Sequence, residues 1–377
     1  MVTIQRLPAS LTPLDVALAA LLHGLEPVAP VELPFVDALG CIAAEMRPLD
    51  AIPPCDIAVA DGWAFRARDL VGASSYSPLP LAGPPAWVEA GDAMPRGCDC
   101  VIDADLVEHN GPMAQVLAEA IPGQGVRRTG GDIAKGRSII AAGRCIGPLD
   151  LLIGRAAGLE RLNVRRPRLR LVNIPATSGQ VTTASLIAEY ARAAGGSVSL
   201  TEAAERDAAS IAKAIAGPIE ASACDLLITI GGSGVGRTDA AVVALAERGE
   251  VVAHGIALQP GRTSAVGRIA NIPVIALPGA PDQALAAWWT LVLPVLDRLS
   301  GRQPRAQVTR PLARKIASGV GIAEIVLLEK NDNGWMPLAV GDLSLETIAR
   351  ADAWLAIPGS SEGFAAGTPA DAYMMRE

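Results

Sequence analysis

Aromatic side chains are scarce in this chain: six Trp, three Tyr and three Phe among 377 residues. Proteins that hold single-stranded nucleic acid stack bases on such rings, so little here serves that purpose. Cationic clusters are missing as well. Lys and Arg number 32 against 39 Asp and Glu, and the net charge of −7 argues against nucleic acid or an anionic membrane as partner. Only three histidines occur. The six cysteines (41, 55, 98, 100, 145 and 224) are scattered, and the C-x-C pair Cys98/Cys100 lacks metal-site spacing. Those two read as small hydrophobes in or beside a strand, and the expected compartment is a reducing cytoplasm. The first residues show no charged n-region with a following apolar run and cleavage site, so no signal peptide is expected. The longest apolar stretch, Ala284 to Leu296, is too short to span a bilayer and contains Pro294.

What the chain does have is apolar core material, at 50% hydrophobic residues, and 38 glycines placed at telling points. The length corresponds to roughly two to four domains. An amphipathic helix is expected over Leu14–Leu25. Proline- and glycine-rich sequence follows to about Gly143, with strands expected near Ala86–Val88, Cys100–Ile102 and Ser138–Ile140. A helix is expected over Pro148–Gly158. From Arg168 the pattern alternates: strands over Leu169–Ile174, Ser197–Leu200, Leu226–Ile230 and Val274–Leu277, and helices over Ala184–Ala194, Ala208–Ile215, Ala240–Gly249 and Gln283–Leu299. Such alternation predicts a doubly wound α/β domain with a mostly parallel sheet. Its ligand belongs outside the C-terminal strand ends. After Gly301 the strand-like segments Gln307–Leu312, Glu324–Leu328 and Ala353–Ile357 predict a small all-β tail.

Three loops fall at that predicted strand edge. The first, Gly231-Gly232-Ser233-Gly234-Val235-Gly236-Arg237-Thr238-Asp239, is neither a dinucleotide fingerprint nor a P-loop. Its glycines permit positive φ and close approach of a ligand, and free N–H groups at the following helix favour anions. A tight turn without a ligand is the alternative. Gln259-Pro260-Gly261-Arg262-Thr263 adds one cation, and Leu277-Pro278-Gly279-Ala280-Pro281 adds a third backbone-rich turn. Together they suggest an anion cradle. Asp61, Asp132 and Asp239 are the carboxylates to which a Mg²⁺ ion beside bound phosphate points. Each taken alone is equally a turn residue or a helix cap.

The constellation resembles the molybdopterin molybdenumtransferase family, which includes the C-terminal domain of gephyrin. Pro53 to Ala64 resembles its P-x-x-x-x-S-x-M-D-G-Y-A, Pro95 to Ile102 its P-x-G-A-D-A-V-V, and Val126 to Ile133 its V-R-x-x-G-E-D-I. The glycine loop resembles G-G-V-S-V-G-x-x-D, and Leu277–Pro281 resembles L-P-G-N-P. The stretches Ala351–Pro358 and Glu362–Gly367 resemble its C-terminal β domain. Six motifs in register cover nearly the whole chain.

The resemblance implies four domains. They are a discontinuous elongated domain (1–28, 48–55 and 132–166), an inserted β domain (29–47 and 56–131), the α/β molybdopterin-binding domain (167–300) and a small β-barrel-like domain (301–377). It implies a cytoplasmic homodimer that takes adenylylated molybdopterin and molybdate, hydrolyses the adenylyl phosphoanhydride with Mg²⁺ and inserts molybdenum. Other cofactor-biosynthesis proteins or molybdoenzymes are implied as partners. On this reading Asp61, Asp132 and Asp239 are catalytic, with Asp61 and Asp239 holding the metal. Gly231, Gly232, Ser233, Gly234, Gly236, Pro260, Gly261, Arg262, Pro278, Gly279 and Pro281 bind the pterin nucleotide.

The departures are specific. The family's G-D-E-L is replaced by Asn173–Gln180, which has no carboxylate. Its T-G-A reads Ala90-Gly91-Asp92. Its K-P-G-K-P keeps one cation, Arg262, and its L-P-G-N-P has Ala280 for Asn, followed by Asp282. Losing a cation and gaining a carboxylate weakens an oxyanion site. Two functions therefore stand side by side: a molybdenum insertase with an altered molybdate site, and a non-catalytic paralogue that binds the pterin or the finished cofactor for delivery or scaffolding.

Overall fold

The computed structural model describes residues 5–110, 113–175, 182–217 and 224–376. The chain divides into two compact units. One comprises Met1–Glu45, Ala142–Pro148 and Arg161–Glu377; the other comprises Met46–Ala141 and Leu149–Glu160.

The larger unit holds the predicted α/β sheet. Its six strands run in the order Ser197–Glu202, Arg168–Asn173, Leu226–Ile230, Ile272–Leu277, Ala265–Ile269, Glu250–His254. The first four are parallel. Alternate side chains feed two cores, as the period of a strand requires. Leu169, Leu171, Ile228 and Ile275 pack with helices Thr182–Ala193 and Pro281–Ala287 on one face. Val172, Leu227 and Val274 pack with helices Ala208–Ala216 and Ala241–Ala246 on the other. Helices on both faces make the sheet doubly wound.

The last two strands are antiparallel to their neighbours and were not expected. Each carries or adjoins a glycine that reads as a breaker. In the structure Gly267 is bare because a Cβ there would lie 2.2 Å from the Glu250 carbonyl oxygen.

The helix predicted over Gln283–Leu299 begins at Pro281 and ends at Ser300, but it is interrupted by a π-helical segment, Trp288–Val292. Pro294 has no N–H to return to Thr290, so a regular α-helical bond is lost there. The Thr290 hydroxyl donates to the Ala286 carbonyl at 2.8 Å, inside the core.

The tail is not all β. Helix Leu345–Arg350 interrupts it, capped by Ser344, whose hydroxyl accepts from the Thr347 N–H at 3.1 Å. Tail strands join Thr12–Pro13 and Ile256–Gln259 in one seven-stranded sheet, whose main path ends at Thr12–Pro13 and Val308–Pro311. Trp289 of the α/β helix stacks on Trp354 at 5.1 Å, and Trp354 on Tyr373 at 4.9 Å, which joins sheet and helix through rings.

The smaller unit is built of short antiparallel ladders. Gly62–Phe65 lies between Ala86–Val88 and Cys100–Ile102, and Met113–Ala118 lies between Ser74–Pro80 and Val107–Asn110. Cys100 is buried among Ala67, Leu70 and Ile102, and burial pushes its thiol up to about 11. Ser138–Ile140 forms no strand. The Ser138 hydroxyl bonds the Ile140 carbonyl at 3.2 Å, a local alternative to ladder pairing.

Candidate functional site

At the C-terminal ends of strands Arg168–Asn173, Leu226–Ile230 and Ile272–Leu277 lies a cavity of about 350 Å³. Its walls include Gly231, Gly232, Gly234, Asp239, Pro278 and Gly279, all expected from sequence, and Thr263 from the loop Gln259–Thr263. This is the edge at which open α/β sheets bind ligands. Two of the loops are tied together by the Gly231 N–H, which donates to the Leu277 carbonyl at 2.9 Å, and the Thr183 hydroxyl of helix Thr182–Ala193 donates to the Gly279 carbonyl at 2.7 Å.

The loop's glycines serve two different needs. Gly231 and Gly232 have φ of +90° and +65°, which side chains disfavour. Gly234 and Gly236 are bare for another reason. A Cβ at either would meet Asp239 Oδ2, at 2.6 and 2.9 Å. The space expected for ligand approach at those two residues is filled by the chain's own carboxylate.

The first three N–H groups of the helix after the loop are already engaged. It spans only Ala241–Ala246. The Ala241 N–H donates to the Gly232 carbonyl at 3.0 Å. Those of Val242 and Val243 donate to Gln5 Oε1 at 2.7 and 3.3 Å. Gln5 also donates through Nε2 to the carbonyls of Gly232 and Gly234, at 3.0 and 2.7 Å. This N-terminal amide, only 5% exposed, pins the loop from beneath and was not foreseen. The expectation of an anion held by that helix start is thus corrected.

The cation of the cavity is also not the one expected. Arg262 is exposed and is not among the lining residues, while Pro260 and Gly261 are buried in packing. Arg206 lines the cavity instead. Its Nη2 donates to Asp239 Oδ1 at 2.8 Å and its Nη1 to the Pro175 carbonyl at 2.6 Å. Its Nε is buried without a partner among the described residues. In the sequence, Arg206 merely precedes Asp207, the N-cap of helix Ala208–Ala216, so nothing marked it as more than a solvated helix start. Asn173, Thr183 and Gln283 complete the polar lining, Asn173 donating to Glu202 Oε1 at 3.2 Å.

Ser233 is fully buried, and its carbonyl contacts His254 Nε2 at 2.9 Å. Pro281 opens the helix Pro281–Ala287 beside the cavity. Asp61 and Asp132 belong to the smaller unit. Asp61 accepts the Ala90 N–H at 2.8 Å, and Asp132 pairs with Arg127 at 3.0 Å. Residues 176–181, where the altered acidic loop falls, lie outside the described residues.

A Mg²⁺ ion takes near-octahedral oxygen ligands, usually with one or two carboxylates facing it. Among the described residues a single carboxylate lines the cavity, and both its oxygens are engaged, Oδ1 by Arg206 and Oδ2 by the Gly236 N–H at 2.9 Å. Among the described residues no group of three or more His, Cys, Asp or Glu converges. A guanidinium stands where a divalent cation would meet Asp239, so the described residues that line this cavity do not fit the ion.

Fold and cavity define a multidomain protein whose candidate site sits on a doubly wound α/β domain. Residues 12–158 match the family model described as "MoeA N-terminal region (domain I and II)", and residues 172–298 the one described as "Probable molybdopterin binding domain". The chain is 29% identical over 312 residues to molybdopterin molybdenumtransferase 2 of Mycobacterium tuberculosis, covering 72% of this chain and 76% of that protein. It is 29% identical over 282 residues to the molybdopterin molybdenumtransferase of Haemophilus influenzae, covering 67% and 68%. Among solved structures, the molybdopterin biosynthesis MoeA protein of Pyrococcus horikoshii superposes with a TM-score of 0.75 at 26% identity, over 98% of this chain and 100% of that one. The chain belongs to the molybdopterin molybdenumtransferase family.

Proposed function

We propose that this protein acts in molybdenum cofactor biosynthesis by binding the phosphate or adenylyl phosphoanhydride of a molybdopterin in the glycine-walled cavity and inserting molybdenum from molybdate. The observation that supports this is the cavity itself. Three loops of one strand edge, with Gly231, Gly232 and Gly279 in the walls, surround a single ordered guanidinium. Such a combination recognises a phosphate through backbone and fork-shaped donors together. In this reading the chain's residues bind and orient. Gly231 and Gly232 admit the ligand to the main chain, Arg206 meets its negative charge, and Asn173, Thr183 and Gln283 offer neutral hydrogen bonds.

A second reading has a specific observation in its favour. Asp239, the carboxylate expected to position a metal, is ion-paired with Arg206. That suits a protein which holds the pterin, or the finished cofactor, without turning it over. One experiment separates the two. Purified protein is given adenylylated molybdopterin and molybdate, with and without Mg²⁺, and nucleotide release and metal insertion are followed separately. Insertion above the protein-free control supports the transferase. Tight binding with neither product supports the carrier. Absence of pterin binding overturns both.

A further inference from the structure

We infer that Arg206 supplies the positive charge for the cavity's anionic ligand, so that a phosphate or phosphoanhydride is bound there without a divalent cation. This rests on the proposed reading of the cavity as a phosphate site and goes beyond it in naming what neutralises the charge.

Three observations converge. First, Arg206 is the cation in the cavity wall, and Arg262, the one expected, points to solvent. Second, the guanidinium is held in place from two sides, by Asp239 Oδ1 at 2.8 Å and by the Pro175 carbonyl at 2.6 Å. Two of its five N–H groups are thereby used, and Nε has no partner among the described residues. A guanidinium so restrained loses little further freedom when it meets an oxyanion. Third, the two other expected sources of positive potential, the start of the following helix and a cation on Asp239, are pre-empted. The first N–H groups of helix Ala241–Ala246 are taken by Gly232 and Gln5. Asp239 is taken by Arg206 and Gly236, and a cation approaching it would meet the guanidinium first.

Asp239 thus becomes a positioning residue for Arg206 rather than a metal ligand. The two roles predict opposite effects of the same substitution. If Asp239 held a metal, removing its charge would weaken an anion bound through that metal. If Asp239 only steadies Arg206, Asp239→Asn keeps an acceptor for Nη2 and removes a negative charge from the cavity. Anion binding then stays equal or tightens.

The test uses inorganic pyrophosphate as probe, titrated calorimetrically into the full chain in EDTA and again in excess Mg²⁺. Binding should be present in EDTA and change less than about threefold with Mg²⁺, while Arg206→Gln should weaken it at least about tenfold, as loss of a charge-assisted pair does. Arg206→Lys should recover part of that loss, since the charge remains and the fork does not. Asp239→Asn should bind pyrophosphate as well as the wild type or better. Thermal melts accompany each variant, and Arg206→Lys serves if Arg206→Gln does not fold. Binding that vanishes in EDTA, or that weakens in Asp239→Asn, overturns the inference, as does a wild type that binds no pyrophosphate in either condition. Failure of the pterin reading looks different: pyrophosphate would bind in EDTA through Arg206 while adenylylated molybdopterin would not bind.

Discussion

At the scale of single residues, the loop Gly231–Asp239 shows that identical residues can meet different physical needs. Gly231 and Gly232 answer to backbone conformation, Gly234 and Gly236 to the carboxylate folded against them. Gly234→Ala places a Cβ 2.6 Å from Asp239 Oδ2, and the ion pair with Arg206 has to give way. The expected cost is about 1–2 kcal/mol of unfolding free energy. In an Asp239→Ala background the offending atom is gone, so the same substitution should cost markedly less. A denaturant double-mutant cycle measures that coupling, and strict additivity would show that the carboxylate is not the cause.

Asp56 gives a pH-dependent counterpart in the smaller unit. The Thr129 N–H and the Arg128 guanidinium hold its carboxyl below the ordinary carboxylate range. A lowered folded value stabilises the protein above the unfolded value, about 3.9, and the contribution is lost as pH falls through the folded one. The stability difference between wild type and Asp56→Asn should therefore be constant from neutral pH down to about pH 5 and shrink below about pH 4. Urea midpoints across that range measure it; a difference that grows on acidification contradicts the assignment.

At the scale of elements, legibility followed hydrophobic periodicity and failed where glycine or proline served a tertiary purpose. Leu226–Ile230, Cys100–Ile102 and Ala353–Ile357 were readable to the residue, because each is a short apolar run between turn formers. The antiparallel edge was not. Ala265–Ile269 carries Gly267 at its centre, and only the partner strand explains it. Gly267→Ala drives a Cβ into the Glu250 carbonyl, with Leu245 Cδ2 another contact at 3.1 Å. It should destabilise the protein by about 2 kcal/mol or more, and amide exchange should speed up first in Glu250–His254. A neutral Gly267→Ala would mean that the edge pair relaxes freely. Of the candidate site, the loops were legible as motifs, whereas Arg206 and Gln5 were not. Arg206 reaches the cavity and Gln5 the underside of its glycine loop, each from another part of the sequence, and neither position has a local signature.

At the scale of the whole molecule, two family models in register and a full-length structural match state the membership, and we propose that the helix Pro148–Ala156 carries a contact between two copies. Its Leu149, Leu152 and Ile153 are exposed at 73%, 61% and 37%, at the i, i+3, i+4 spacing of one helical stripe. A homodimer is the expected state, with this stripe in its interface. Leu152→Asp should shift sedimentation at micromolar concentration from dimer to the 38.7 kDa monomer, with the melting temperature changed by a few degrees at most. A wild type that is monomeric at every concentration rules the dimer out. No helix among the described residues is long and apolar enough to cross a membrane.

The reach of Gln5 also bears on the order of events during synthesis. Its amide closes the underside of the glycine loop, 227 residues from Gly232 and 229 from Gly234. Translation delivers the N-terminal segment first and the loop long afterwards. The strand Arg168–Asn173 and its parallel neighbours can pair while the chain is still growing, but the loop stays without its fastener until the opening residues return to it. The fastening step therefore cannot precede the synthesis of Val243. A bulky fusion placed just ahead of Gln5 would burden that final step more than any other part of the fold.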